Sequence, residues 1–472
     1  MLKKALLLVS GNAFGSALLL VRNLIIARLI SPEDYGIAST FAISMSIVEM
    51  MSNFGLNQMI IVDRDGDDPK VQAALQGFQF LRGLTSCILL LLIAGPYARF
   101  LGVPEVAWAY QLIAVIPLMN GLQHFDVHRL KRHMNFTPSI LSLSVPPLVS
   151  VIALWPLALI FGDYRIMLFA LFVQAASMVI LTHLKAERPY RLALDFALMK
   201  RTTMFGWPLL LNGILLFGVF NGERLIVGRE LGMLQLGLFS MAFSLTLTPT
   251  LVLAGSCQTF FLPQLSAVRD RPEPFQRLAI ATMEASLVIG LLLVLGISLI
   301  GAPVVDLLLG QKYAAMIPIL VPIAVMQAVR VAKTGSAVVA LAKERSGNAI
   351  AGNLFRVLSL PISWYVLLRT GDILMMIWIS TAAEVFGFVF AVYLARRRTE
   401  IRTTPFILPA FLTALAFATA LVDAYFYAPQ RHLMDQIHIA QWAVFLTFGA
   451  AILSMSGLRG YVLRRYLGKN DR

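Results

Sequence analysis

Residues 315–342 read AMIPILVPIAVMQAVRVAKTGSAVVALA, an almost wholly apolar run that nevertheless contains Arg330 and Lys333. About 20 apolar residues are enough for a helix to cross the hydrocarbon core of a bilayer. A charge at the bilayer centre costs about 2.5–3.5 kcal/mol on insertion scales, so cations at this depth usually face a water-filled cavity or a partner. The run therefore predicts a transmembrane helix whose cations serve function.

Other apolar stretches of similar length also contain cations. At membrane depth we expect Arg22, Arg82, Arg224, Arg330, Lys333 and Arg356. Because positive charge exceeds negative charge at this depth, the pattern predicts an anionic cargo.

The composition supports membrane spans along the whole chain. Of its 472 residues, 58% are hydrophobic and only 14% are charged, whereas soluble proteins average about 25% charged residues. The mean hydropathy is +0.77. The apolar runs predict an all-α, polytopic membrane protein with about 14 transmembrane helices.

The short loops exclude several classes of protein. They leave no room for a soluble catalytic domain, and no Gly-rich phosphate-binding motif is present, so we expect neither an enzyme nor a cofactor. Cys87 and Cys257 fall in predicted helices, which argues against a disulfide or zinc site. His124, Asp126 and His128 resemble a metal cluster only superficially and are better explained as polar residues at the membrane interface.

The distribution of basic residues predicts the orientation. Most of the 39 Lys and Arg residues fall in loops on the side of the N-terminus, which the positive-inside rule assigns to the cytoplasm. Both termini are therefore expected to be cytoplasmic. The net charge of +14 follows from this topology and from attraction to anionic lipids, and needs no nucleic acid partner.

The chain also resembles itself at an offset of 201 residues. This shift aligns LIIAR at 24–28 with LIVGR at 225–229, Gly36 with Gly237, and Ser39 with Ser240. The offset aligns predicted helices that are six places apart in chain order and therefore cross the membrane in the same direction. Transporters built from parallel repeats have this pattern. We expect six-helix lobes at 1–202 and 203–400, followed by a helix pair and basic tail at 401–472.

Several motifs resemble those of one known family. They read ARLISPEDYG at 27–36, FGWPLLLN at 205–212, NGERLIVGR at 221–229, LGLFSMA at 236–242 and LLLGQKY at 307–313. These motifs are similar to those of Wzx-type polysaccharide flippases, members of the multidrug/oligosaccharidyl-lipid/polysaccharide exporter superfamily.

The resemblance implies a function and a place in the cell. It implies two lobes around a central cavity that moves an undecaprenyl-pyrophosphate-linked oligosaccharide across the bacterial inner membrane, for O-antigen, capsule or exopolysaccharide synthesis. Partners would be that lipid-linked oligosaccharide, membrane lipids, and a polysaccharide polymerase and chain-length regulator. Arginine suits the pyrophosphate because its planar fork binds phosphate oxygens bidentately and stays charged.

Seven residues are candidates for binding the cargo. Gln327, Arg330 and Lys333 are spaced by three residues and share a helix face, which Arg356 on the next helix would join; the alternative is pairing of these cations with Glu284 or Glu384. The other candidates are Arg22, Arg28 and Arg82. Arg28 and Arg82 lie near helix ends, where snorkelling to the membrane surface is the alternative, equal for Arg82 and favoured for Arg28.

Five further residues are candidates for gating or ion coupling. Glu223 occupies the repeat position of Arg22, so we expect it to pair with Arg22 or to form a static salt bridge. Arg224 and Asn212 belong to the motifs of the seventh helix. Glu49 and Asn53 are one turn apart and suit either a coupling cation or a hydrogen bond between packed helices.

Three other classes stay open at this point, and one of them is a lipid-binding scaffold without transport. An ion-coupled drug or cation antiporter of the same superfamily would favour buried carboxylates over arginines. A membrane glycan polymerase or ligase would be expected to have a large extracytoplasmic loop.

Overall fold

The computed structural model describes residues 2–51, 54–345, 347–426 and 439–466. All regular secondary structure in these ranges is helical, with short 3-10 turns at Pro104–Val106 and Gln311–Met316. The α-helices are α1 (Leu2–Leu29), α2 (Pro32–Met51), α3 (Leu56–Val62), α4 (Pro69–Phe100), α5 (Ala107–Ile113), α6 (Val115–Gly121), α7 (Asp126–Arg132), α8 (Thr137–Ile160), α9 (Arg165–Leu184), α10 (Phe196–Ala267), α11 (Pro272–Leu308), α12 (Ile317–Ala342), α13 (Gly347–Leu358), α14 (Leu360–Thr370), α15 (Ile373–Thr399), α16 (Thr404–Phe426), α17 (Ile439–Ser454) and α18 (Ser456–Tyr466).

Nine helices in the described ranges are long and apolar enough to cross a membrane, and α17 with α18 would make a tenth as one span bent by 62°. The protein is therefore an all-α, polytopic membrane protein with nine to ten candidate spans. The number is below 14 because α10 covers both of the spans that the sequence predicts near residues 203–228 and 237–262, and the span predicted near 107–127 is divided between α5 and α6. In addition, α1 and α2 are not among the nine, and neither is α17 when it is taken without α18.

The chain forms two compact units, Met1–Ser240 and Met241–Arg472. In the first unit α1 packs against α8, α8 against α9, and α4 against α5 and α6. In the second unit α11 and α12 form the centre, and α15 and α16 pack around them. Its core is aliphatic and includes Leu287, Leu291, Val294, Ala324 and Ala328.

The long helix α10 is broken at Gly232, where φ is 81° and ψ is 179°. This backbone conformation is essentially restricted to glycine, because a Cβ atom would clash with the main chain. Gly232 therefore divides α10 into segments 196–231 and 233–267, which correspond to two of the expected spans.

Near this break, α2 and the second segment of α10 approach each other symmetrically. A Cβ atom on Gly36 would lie 1.9 Å from the carbonyl oxygen of Met233, and a Cβ atom on Gly237 would lie 1.9 Å from that of Pro32. Ser240 Oγ donates a hydrogen bond of 3.2 Å to Ser39 Oγ. The pairs 36 and 237, 32 and 233, and 39 and 240 all differ by 201, the offset of the sequence repeat.

This close approach predicts that Gly36→Ala destabilises the protein. The added methyl group would meet a backbone oxygen that has no side-chain freedom, and overpacking of this kind costs about 1–3 kcal/mol. Thermal unfolding of the purified protein in detergent should therefore show a lower Tm. Gly296→Ala is the matched control, because a Cβ atom at position 296 meets nothing within 4 Å. An equal Tm for both variants would contradict the packing argument.

Candidate functional site

Three cations surround one buried carboxylate in the second unit. On α15, Glu384 Oε1 lies 2.9 Å from Arg330 Nε and 3.5 Å from Arg356 Nε, and Glu384 Oε2 lies 2.5 Å from Lys333 Nζ. Glu384 and Arg356 are 0% exposed, Lys333 is 6% exposed and Arg330 is 8% exposed. The cluster thus holds three positive charges and one negative charge away from solvent.

Polar side chains extend this cluster. Arg330 Nη1 donates a hydrogen bond of 2.8 Å to Gln327 Oε1, and Arg356 Nη1 donates one of 2.8 Å to Ser380 Oγ. Gln327 Nε2 is buried and has no hydrogen-bond partner among the described residues. The structure therefore brings together Gln327, Arg330, Lys333 and Arg356, the four cargo-binding candidates of this half of the chain.

Close helix packing creates the cluster. Arg330 and Lys333 are three residues apart on α12 and so project from one face. A Cβ atom on Gly387 would lie 2.4 Å from the carbonyl oxygen of Gly352 and 3.6 Å from Lys333 Cδ. Because neither glycine has a side chain, α13 and α15 meet closely and leave room for the lysine stem beside Glu384.

Of the two alternative carboxylate partners, the structure selects Glu384. Glu284 is also fully buried, but its Oε2 accepts a hydrogen bond of 2.6 Å from the backbone nitrogen of Leu458, at the start of α18. The sequence predicts Glu384 only as a possible partner of these cations and not as the centre of the site. Its isolation in an apolar span, three residues before a glycine, was the signal in the sequence.

The first unit contains a cavity of about 550 Å³. Glu49 and Arg82 line it and lie close enough to interact electrostatically. The other polar residues that line it are Asn57, Gln79, Asn120, Gln123, His124, His128, Ser139, Ser142, Gln174 and Thr182. The cavity is thus rich in hydrogen-bonding groups, as a sugar requires.

Arg22 is buried, with 5% exposure, and contacts neutral groups. Its Nη1 donates to Gln174 Oε1 and, at 3.5 Å, to Ser150 Oγ. No carboxylate among the described residues forms an ion pair with it. The expected pairing with Glu223 is therefore not formed in this structure, because the side chain of Arg22 is held by α8 and α9. Through Gln174, Arg22 adjoins the cavity.

The remaining candidates that the structure describes are not among the residues that line the cavity of the first unit. Glu223 is 2% exposed, and Arg224 Nε donates a hydrogen bond of 3.1 Å to Ser240 Oγ. Arg28 is exposed in the last turn of α1, and Asn212 is half-buried on α10. Asn53 lies outside the described residues.

A polar network links α4, α7 and the segment after α9. The fully buried Asp126 accepts hydrogen bonds from Arg129 Nε at 2.5 Å, Gln72 Nε2 at 3.2 Å, and the backbone nitrogens of Glu187 and Arg188 at 2.8 and 3.3 Å. Burial opposes ionisation, but these donors and the positive charge of Arg129 lower the pKa of the Asp126 carboxyl below its usual range.

His124 takes part in this network and not in a metal site. His124 Nδ1 accepts a hydrogen bond of 3.2 Å from the backbone nitrogen of Asp126. Within the described part of the chain, no group of three or more His, Cys, Asp or Glu side chains is placed to hold a metal ion.

Comparison with known families decides the class of protein. A family model described as "Polysaccharide biosynthesis protein" matches residues 25–318. The chain belongs to this family. It is the Wzx-like flippase family that the motifs indicate, a family of transporters.

Curated relatives of this polysaccharide biosynthesis protein have related descriptions. The chain is 25% identical to the succinoglycan biosynthesis transport protein ExoT of Rhizobium meliloti over 63% of its length and 60% of that protein. It is 20% identical to the teichuronic acid biosynthesis protein TuaB of Bacillus subtilis over 82% of both chains. It is 21% identical to the lipopolysaccharide biosynthesis protein WzxC of Escherichia coli over 71% of its length and 69% of that protein.

Solved structures share the fold of this family member. The lipid II flippase MurJ, in an inward closed conformation, matches 98% of the chain and 100% of its own chain with a TM-score of 0.71 and 12% identity. An inward-facing MATE multidrug transporter matches 84% of the chain and 98% of its own chain with a TM-score of 0.69 and 14% identity. At these identities the likeness establishes the fold alone.

The Asp126 network predicts a pH-dependent stability difference between wild type and Asp126→Asn. Because the folded-state pKa of Asp126 is depressed, its stabilisation is present above the unfolded-state pKa of about 3.9 and is lost as the pH falls through the folded-state value. Asp126→Asn should therefore lower Tm at pH 7, and the difference should shrink below about pH 4.

Tm measured from pH 7 to 3 would test this, with Asp270→Asn as the control because Asp270 is 89% exposed. A difference between wild type and Asp126→Asn that stays constant over this range would show that the charge of Asp126 is not its source.

Proposed function

We propose that this protein translocates an undecaprenyl-pyrophosphate-linked oligosaccharide from the cytoplasmic to the periplasmic leaflet by alternating access. The exported unit would serve the synthesis of a surface polysaccharide. The observation that carries the proposal is the buried cluster of Arg330, Lys333 and Arg356 around Glu384, which has a net charge of +2. Such a site suits a diphosphate, because Arg forks and a Lys ammonium bind phosphate oxygens through charge-assisted hydrogen bonds.

The cavity of the first unit supports the same cargo. A lipid-linked sugar has a polar glycan, and the amides, hydroxyls and imidazoles that line this cavity offer donors and acceptors without a large excess of one charge. Arg22, next to the cavity through Gln174, and Arg82 within it would supply positive charge. A drug or cation antiporter is less well matched, since the ionic cluster of the second unit brings three cations to one carboxylate.

The finer architecture is part of the proposal. We expect 14 spans, arranged as six-helix lobes at residues 1–202 and 203–400 and a helix pair at 401–472. The contacts at the 201-residue offset, between Gly36 and Gly237 and between Ser39 and Ser240, support the repeat. The protein would lie in the bacterial inner membrane with both termini in the cytoplasm, and would work beside a polymerase and a chain-length regulator.

Two experiments test the function directly. In a strain without another flippase, deletion of the gene should leave lipid-linked oligosaccharide on the cytoplasmic leaflet and abolish the surface polysaccharide. Proteoliposomes that contain the purified chain should move a fluorescent prenyl-diphosphate oligosaccharide between leaflets faster than protein-free vesicles. Normal surface polysaccharide after deletion, together with no movement in proteoliposomes, would refute the proposal.

Loss of one cluster cation should slow this movement. Arg356→Gln removes a charge-assisted contact worth about 1.5–3 kcal/mol, so we expect translocation at subsaturating cargo to fall by about 10- to 100-fold. Arg369→Gln is the control, since Arg369 is exposed at the end of α14. Equal rates for the two variants would exclude Arg356 from the cargo path.

Alternating access predicts that α2 must separate from the second segment of α10. In a background of Cys87→Ser and Cys257→Ser, a disulfide between Ser39→Cys and Ser240→Cys should stop translocation, and a reductant should restore it. The single Ser39→Cys variant, which cannot form this disulfide, should translocate cargo at the same rate under oxidising and reducing conditions. Wild-type rates in the fully cross-linked protein would show that this contact does not open during transport.

A further inference from the structure

The cation cluster of the second unit already contains an anion. Glu384 Oε1 is shared by Arg330 and Arg356, and Glu384 Oε2 contacts Lys333. A carboxylate offers the same kind of charged oxygen acceptors as a phosphoryl group, and both suit Arg and Lys. Glu384 therefore occupies the donors that an incoming diphosphate would need.

We propose that Glu384 is an internal competitor of the cargo, which holds the three cations when the site is empty, yields part of their hydrogen bonds to the diphosphate, and recovers them to expel it. This inference rests on the proposed function and adds the means of release. It assigns to Glu384 the control of cargo affinity and dwell time.

The charge count supports this role. One carboxylate contacts all three cations, and with Glu384 ionised the charges of these four side chains sum to +2. A diphosphate diester has two negative charges, so the occupied cluster would be neutral. Without the carboxylate, the same cations would form a +3 site and would hold the diphosphate more strongly.

The surroundings of the cluster make the competition effective. Every member is at most 8% exposed, so water screens the charges weakly and each contact counts for more than it would at a surface. The buried Gln327 Nε2, which has no hydrogen-bond partner among the described residues, is a further donor beside Arg330 that the cargo would use. Tight binding without a competing anion would oppose release, and a transporter must release its cargo to turn over.

The test compares the full-length wild type with Glu384→Gln in nanodiscs. The probe is a short prenyl-diphosphate disaccharide, and the matched probe has a single phosphate in place of the diphosphate. Glu384→Gln should bind the diphosphate probe about 10-fold or more tightly, chiefly through slower dissociation, and should translocate it more slowly at saturation. The increase in affinity that Glu384→Gln causes should be smaller for the monophosphate probe, because this probe has one negative charge fewer.

Glu284→Gln is the matched control. Glu284 is an equally buried glutamate in the same unit, but it accepts a hydrogen bond from a backbone nitrogen, and Arg459 acts on it only at longer range, without an ion-pair contact. An amide oxygen in its place still accepts that hydrogen bond. Its affinity for both probes should equal that of the wild type.

A second pair of variants keeps the proposal testable if Glu384→Gln fails to fold. Lys333→Met lowers the net charge of the cluster to +1, and the double variant Lys333→Met/Glu384→Gln restores +2 without the carboxylate. The double variant should bind the diphosphate probe about 10-fold more tightly than Lys333→Met, because the competitor is gone. A merely structural salt bridge predicts the opposite, since loss of a second partner would not improve binding.

The outcomes separate the two proposals. If the wild type binds and moves the diphosphate probe but neither removal of Glu384 tightens binding, Glu384 is not a competitor and the present inference fails alone. If the wild type neither binds nor moves the probe, the proposed function fails and the inference falls with it.

Discussion

The ion pairs that three buried cations form with Glu384 constrain the second unit more than any other interaction. Apolar packing can place α12, α13 and α15 side by side in many registers, but only registers that bring Arg330, Lys333 and Arg356 to Glu384 avoid leaving unpaired charges in a medium of low dielectric constant. The glycines at 352 and 387 follow from the same requirement, because they allow the backbones to approach until the lysine ammonium reaches the carboxylate. The contacts with Glu384 thus constrain the register of the three helices, and the charges of these four side chains sum to +2.

The first unit solves the problem of buried charge differently. Arg22 donates hydrogen bonds to a glutamine and a serine, which are neutral dipoles, so no carboxylate among the described residues offsets its positive charge. Glu49 and Arg82 lie close enough to attract each other electrostatically, in a cavity that amide and hydroxyl groups also line. The two units therefore differ in kind: the first offers a roomy polar cavity with dispersed charge, and the second a dense ionic cluster. An amphiphilic cargo with a bulky neutral glycan and a compact charged linkage needs both kinds of surface.

Much of this arrangement was predictable from the sequence, and the exceptions have physical causes. Length and hydropathy predicted the helices, and three-residue spacing placed Gln327, Arg330 and Lys333 on one face, because helical periodicity is local. The expected contact of Arg22 with Glu223 is not formed in this structure, since repeat equivalence says which positions correspond and not which side chains touch. The choice of Glu384 over Glu284 depended on the approach of α13 to α15 through glycines far apart in sequence, which no local pattern encodes.

The contact between α2 and the second segment of α10 has a consequence for the origin of the chain. Each glycine faces the carbonyl oxygen of the residue four positions before the other glycine, and the two equivalent serines hydrogen-bond to each other. A surface that binds its own counterpart in this reciprocal way is isologous, the type of interface that two identical subunits form across a twofold axis. The helices therefore meet as the subunits of a homodimer would, within a single polypeptide, and a substitution on one side of the axis breaks a symmetry that both sides once shared.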